Sequence, residues 1–263
     1  MSKLRVSVVQ YLNTVPLIWG MQHGKQQGKF DLNFTTPAQC ADAVRSGSAD
    51  VGIIPAIEVQ RIENLQVISG ISISSLERVK SVILLSKKPI QEVTSVALDT
   101  SSRTSVALVT ILLRKFYNLR PQMAPAGPDP EKMLARADAA LLIGDPALAF
   151  KGKRVRVYDL AAEWKAFTGL PFVFAVWAGP RKAHLSEFSR DFQESRDYGL
   201  AHIDDIATEY APRHRMTPDE VKIYLTENIN YNLEGEHCKG LNLFYRLAHE
   251  QGLIPGVADL SFV

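Results

Sequence analysis

Cysteine is scarce in this chain. Cys40 and Cys238 are its only two in 263 residues, far apart and without CxxC spacing. That excludes a disulfide-stapled scaffold and points to a reduced, cytoplasmic protein. Long apolar runs are missing too. No segment approaches the roughly 20 apolar residues that a bilayer demands, so no membrane partner is expected. The first apolar run, "LRVSVVQYL", meets Gln10 within it and then Asn13, Thr14 and Pro16. A secretory signal needs a basic segment, an apolar core and a small-residue cleavage site. The run therefore reads as a first strand, and a cytoplasmic location is expected. Charge of one sign is lacking as well: charged residues make up 22%, and the formal net charge is +2. With no block of like charges, nothing marks a surface for nucleic acid.

Several chemistries have no motif. GxGxxG, the P-loop and HExxH are all absent. The six histidines are scattered; His237 beside Cys238 has no second pair at a metal spacing. Asp204 and Asp205, adjacent in "AHIDDIATEY", read as a solvated helix face. No metal or cofactor is expected.

What the chain does have is alternation. At 46% hydrophobic it can bury one large core or two modest ones. "RVSVVQ", "DLNFTT", "ADVGIIPA", "LQVISGISISS" and "VKSVILLSK" read as strands. Helical stretches lie near Leu17–Gln26, in "PAQCADAVRSG" and in "AIEVQRIEN". Pro37 suits a first helical turn and Gly47 a C-terminal cap. A second series runs from "EVTSVALDT" through the helix "SRTSVALVTILLRKFY" and the short helix "PEKMLARA". The strands "DAALLIG" and "RVRVYDL" follow, then the Gly169-capped helix "AAEWKAFTG". "LPFVFAVWAG" reads as a central buried strand, and beyond Pro180 the chain reads as helical to about Gly252. This predicts an α/β protein with mostly parallel sheets. Two lobes are expected: residues 1–87 with 179–263, including the helical tail, and an inserted lobe at 88–178. The chain would cross near Ser86–Pro89 and return near Phe172–Ala178, leaving a ligand cleft between the lobes.

Ligands in such sheets sit beyond the carboxyl ends of the strands, beside helix N-termini. Four strand-to-helix junctions have suitable residues: "QYLNTVP", "VGIIPA", "LDTSSRTS" and "LLIGDP". Asn, Thr, Ser and Asp are also ordinary N-cap residues, so each junction alone reads as capping. Asp145 before Pro146 is the strongest capping case. "DTSSRTS" exceeds what one cap needs, with Thr100, Ser101, Ser102, Thr104 and Ser105 around Arg103. Asn13 is also in excess, because Thr14 can cap. Ser81 is a small hydroxyl on the apolar strand "VKSVILLS"; its plain reading is a satisfied buried serine.

Taken in order, "QYLNTVPLIWG", "SADVGIIPAIE", "LDTSSRTSVALV", "ADAALLIGDPAL" and "EWKAFTGLPFVFAVWA" resemble the chorismate dehydratase family of menaquinone biosynthesis. The resemblance spans residues 4–180; the tail has no sharp motif. It implies a two-lobed, type II periplasmic-binding-protein-like fold and a hydro-lyase acting on chorismate without a cofactor. It also implies Asn13 and Ser81 as a catalytic pair. Tyr11, Thr14, Pro55, Thr100, Ser101, Ser102, Arg103, Thr104, Gly144 and Asp145 would bind substrate. Three other readings stay open: 1,4-dihydroxy-6-naphthoate synthase of the same pathway, a solute-binding protein, and a transcriptional effector domain. The junctions contain no obvious general base, which leaves the substrate's own enolpyruvyl carboxylate or Asp145 to take the proton.

Overall fold

The computed structural model describes residues 3–263. Its first lobe opens with β1 (Leu4–Val9), α1 (Val15–His23), β2 (Phe30–Thr35), α2 (Pro37–Ser46), β3 (Val51–Pro55) and β4 (Leu65–Ser75). The second contains β5 (Val82–Ser86), β6 (Ser95–Asp99), α3 (Arg103–Ile111), β7 (Gln122–Ala126), α4 (Pro130–Arg136), β8 (Ala139–Ile143), α5 (Gly144–Ala149), β9 (Arg156–Asp159) and α6 (Leu160–Thr168). β10 (Phe172–Pro180) returns to the first lobe. The tail follows as α7 (Ser189–Ala201), α8 (Ile203–His214), α9 (Pro218–Ile223) and α10 (Glu236–Glu250).

Local chemistry explains many boundaries. Thr36 and Gln39 form a reciprocal capping box around Pro37, whose missing N–H costs nothing at a helix start. Gly47 (φ 76°) and Gly169 (φ 74°) end α2 and α6 in the left-handed conformation glycine adopts freely. "AIEVQ" tightens into a 3-10 turn over Ala56–Gln60.

The strands form two five-stranded sheets, β2-β1-β3-β10-β4 and β7-β6-β8-β5-β9. Each has the same plan. Four strands run in one direction, and the strand that has just crossed from the other lobe is inserted antiparallel at the fourth place. The expected lobe boundaries are corrected by this pairing. β5 lies in the second sheet, so the chain crosses between Ser75 and Val82, before the Ser86–Pro89 segment. β10 lies wholly in the first sheet, between β3 and β4, so the inserted lobe ends before Phe172. Both strands are continuous apolar runs, and composition cannot tell which sheet such a run joins. Each sheet is mostly parallel in strand direction, as the alternation predicts, with one antiparallel insert.

Asp159 fixes the outward crossover. Its buried carboxylate caps α6 through the N–H groups of Ala161 and Ala162 and also accepts those of Val79 (3.2 Å) and Lys80 (2.7 Å). The tail packs on the first lobe, as expected. Ser195 of α7 donates to the Leu17 carbonyl of α1 and accepts from Met21 N–H. Gly199 lies against Pro16, where an added Cβ would stand 2.0 Å from the carbonyl oxygen. Among the described residues, no helix is long and apolar enough to cross a membrane.

Candidate active site

All four junctions reach one cleft between the lobes. It is narrow, with about 40 Å³ of free volume between its walls. Tyr11 and Asn13 follow β1, Pro55 ends β3, Ser102 precedes α3, and Gly144 follows β8. Strand register adds the apolar wall: Val82 pairs with Ile143 and Ala175 with Pro55, and all four line the space with Phe174. The polar lining is sparse. It consists of the Tyr11 phenol, the Asn13 amide and the hydroxyls of Ser102 and Ser105, which lie 3.0 Å apart. Burial pushes the Tyr11 phenol up, against the smaller pull of its bond to Ser101, so it stays a neutral donor. No lysine, arginine, histidine or carboxylate is among the residues lining the cleft.

Several expected ligands point elsewhere. Arg103 runs along the outer face and binds Asp42 (2.8 Å) and Glu58 (3.1 Å) of the first lobe. Glu58 is a fully buried carboxylate that also holds Arg45 and Arg61. Such a carboxylate needs partners, and a guanidinium fork supplies two donors at once. Thr104 is buried and accepts the Ile57 N–H at 3.1 Å, capping the 3-10 turn of the opposite lobe. Thr100 is exposed and lies beside Arg61 and Arg103, away from the cleft. Ser101 donates to Asp99 (2.6 Å), while its carbonyl accepts from Ala38 across the cleft mouth. Thr14 is buried, with its hydroxyl turned to Asn13 Oδ1 at 3.4 Å. The "DTSSRTS" junction thus divides: Ser102 and Ser105 face the cleft, and the rest joins the lobes.

Asp145 does not cap α5; no side chain does. Its Oδ1 accepts the Leu12 N–H at 3.1 Å from the other lobe, and its Oδ2 stands 3.8 Å from His214 of α8. Burial raises its pKa, offset by the Leu12 N–H and His214. The carboxylate therefore braces the "YLNT" turn from outside the cleft wall.

Ser81 is removed from the cleft as well. It is fully buried and donates to the Val79 carbonyl (3.3 Å) while accepting from the Tyr224 hydroxyl (2.8 Å). Sequence reasoning missed Tyr224, which stands in the motif-free tail 143 residues from Ser81. It also missed Phe174 and Ala175, read only as buried strand. Alternation along "FVFAVWA" gives no sign that part of its face meets a ligand.

Two lobes with matching sheets and a cleft at their strand ends define a periplasmic-binding-protein-like fold. The structure is similar to that of an Archaeoglobus fulgidus protein, with TM-score 0.78 and 18% identity over 96% of this chain and 98% of that one. It is also similar to the periplasmic aliphatic sulphonate binding protein of Escherichia coli, with TM-score 0.68 and 17% identity over 99% and 96% of the two chains. Sequence narrows the class. The chain belongs to the menaquinone biosynthesis family, whose model matches residues 4–250. It is 30% identical to the chorismate dehydratase of Thermus thermophilus, covering 89% of this chain and 91% of that protein. The chorismate dehydratase of Campylobacter jejuni is 29% identical, with 89% and 97% covered.

Proposed function

We propose that this chain is a chorismate dehydratase, a hydro-lyase that converts chorismate to 3-[(1-carboxyvinyl)oxy]benzoate and water. The observation that carries the reading is the cleft itself: four strand ends supplying an amide and hydroxyls against an apolar wall, in a chain of this family. Breaking the substrate's C3–H and C4–O bonds across one ring edge makes the ring aromatic. The C3–H electron pair becomes ring π density, and the C4 hydroxyl leaves and takes up a proton as water. The protein has to hold the substrate and direct one proton.

Two carboxylates must be accommodated without a cationic side chain. The start of α3 offers the Ser102 and Ser105 hydroxyls beside a helix N-terminus, which favours an anion. We assign the ring carboxylate there and the enolpyruvyl carboxylate to Asn13 and Tyr11. A carboxylate set against apolar walls, with no cation to neutralise it, becomes more basic. It is tethered one ether oxygen from C3, so the transfer is effectively intramolecular. The substrate thereby supplies its own base. A cytoplasmic location is part of this proposal, supported by the two free cysteines.

The deciding experiment incubates the purified protein with chorismate in excess chelator and identifies the product by mass. Loss of one water with the aromatic absorbance of a benzoate is expected, at an undiminished rate. Unchanged chorismate would refute the proposal, and activity that returns only with added zinc or magnesium would refute its metal-free form.

Asp145→Asn separates the two candidate bases. The amide keeps an oxygen for Leu12 N–H and removes the basicity. Turnover is expected to stay within about threefold of the parent, because the carboxylate braces a turn rather than facing the substrate. A fall of about a thousandfold, in the range typical of a lost general base, with chorismate binding unchanged, would make Asp145 the base.

A further inference from the structure

The cleft is too small for its ligand. Its free volume of about 40 Å³ is little more than one water's share of the liquid, about 30 Å³. A small-molecule site needs about 300 Å³ or more. The lobes are therefore shut, and they must part before a ring with two carboxylates can enter. Polar contacts close the mouth at two places. At one, Asp145 of the second lobe accepts the Leu12 N–H of the first at 3.1 Å. At the other, residues around the start of α3 reach the first lobe in succession. The Ser101 carbonyl accepts the Ala38 N–H at 2.9 Å, Arg103 binds Asp42 at 2.8 Å and Glu58 at 3.1 Å, and Thr104 accepts the Ile57 N–H. Ser102 and Ser105 lie among these residues and face the cleft.

The Arg103 contact is one that can be broken at little cost. A buried carboxylate stripped of its partners is strongly destabilising, but Glu58 is not stripped when Arg103 leaves. Arg45 and Arg61 of its own lobe stay on it, one at each oxygen. Asp42 is half-exposed and keeps Arg45 at 2.7 Å. Arg103 itself is part-exposed and passes into water.

We propose that Arg103 is a positioning residue that latches the cleft. It holds the start of α3, and with it Ser102 and Ser105, against the first lobe while the lobes are shut. It lets go when ligand enters or leaves, and it does not touch the substrate. A latch of this kind stabilises the shut form with and without ligand alike. Its loss raises the open fraction in both states, so ligand enters and leaves faster while affinity scarcely moves. The identity of that ligand rests on the dehydratase reading; the latch itself does not.

The test uses Arg103→Met, Asp42→Asn and the double variant of the full chain, with two readouts. The first is ligand-free: hydrogen exchange at the backbone N–H groups of Ala38 and Leu12, which both donate across the mouth. Arg103→Met is expected to speed both about tenfold, the scale of a charged hydrogen bond at a part-exposed site. Amides within β1 and β3 should keep the parent's rates. Leu12 is the decisive reporter, because its partner is Asp145 rather than any group that Arg103 binds. The second readout is rapid mixing with the product, 3-[(1-carboxyvinyl)oxy]benzoate, followed by protein fluorescence. In Arg103→Met, association and dissociation should both rise about tenfold, with Kd within about threefold. Asp42→Asn should move the same way by less, and the double variant should match Arg103→Met, because both substitutions remove one contact. A tenfold weaker Kd with association unchanged would place Arg103 on the ligand and overturn the proposal. Faster exchange at Ala38 with Leu12 unmoved would make the contact local, and equal acceleration within β1 and β3 would mean lost stability; either overturns it too. A parent protein that neither binds this product nor turns over chorismate would refute the dehydratase reading alone, since the exchange rates still report on the latch.

Discussion

Asn13→Asp is expected to lose turnover by a thousandfold or more while the protein stays folded, and Asn13→Ala by about 10²–10³-fold, the scale of one lost donor to developing charge. The two substitutions fail for different reasons. Alanine removes both ends of the amide, so the enolpyruvyl carboxylate loses its partner and the C3 proton its geometry. Aspartate keeps the shape, but sets a second anion beside the substrate's carboxylates in a cleft without cations. Chorismate affinity should therefore fall much further in Asn13→Asp than in Asn13→Ala. Thermal unfolding midpoints should change little, because Asn13 is only half-buried and the turn is closed by the backbone bond from Thr14 N–H to the Tyr11 carbonyl. Near-normal turnover in both variants would return "YLNT" to a purely local role.

The contrast between Asn13 and its neighbours shows what a sequence can reveal. A proline or a surplus of polar residues where an apolar run ends is a local signal, and it located all four junctions that reach the cleft. Capping chemistry is local in the same way, and the helix start at Pro37 and the glycine stop at Gly47 followed from it. Direction is not local. Arg103 sits at a helix start among hydroxyls, yet its guanidinium follows the acidic groups of Asp42 and Glu58, which only the folded first lobe brings near. Asp145 precedes a proline at a helix start, where a cap is the ordinary outcome, but the Leu12 N–H from the other lobe competes for it and wins. The lobe boundary was hidden for a related reason: β4, β5 and β10 are all apolar runs, and pairing across the hinge is decided by topology rather than composition. Tyr224 had no local signal at all.

Gly144→Ala is the variant expected to damage binding most among residues that make no polar contact with the ligand. Gly144 sits at φ +63°, where an L side chain costs about 1–2 kcal/mol. Space is the larger difficulty. An added Cβ would lie 2.7 Å from the Tyr11 ring carbons Cδ2 and Cε2 and 2.8 Å from Cζ. Aromatic ring atoms cannot approach a methyl so closely, so one side must yield. Gly144 is held in place by its N–H on the Ser81 carbonyl at 2.7 Å, and Tyr11 by the turn that Asp145 braces through Leu12. The ring would have to swing into the cleft, or the lobes would have to part there. Both displace substrate. Chorismate affinity is expected to fall about a hundredfold by calorimetry, a loss of about 2.7 kcal/mol, with a smaller loss of stability from the backbone strain. Tyr11→Ala in the same chain removes the ring and should restore part of the affinity relative to Gly144→Ala alone, despite the loss of the phenol. If Gly144→Ala binds chorismate as the parent does, the contact between Gly144 and Tyr11 does not shape the cleft in solution. If the double variant is weaker than either single, the ring contributes binding through its hydroxyl and the clash is not the cause.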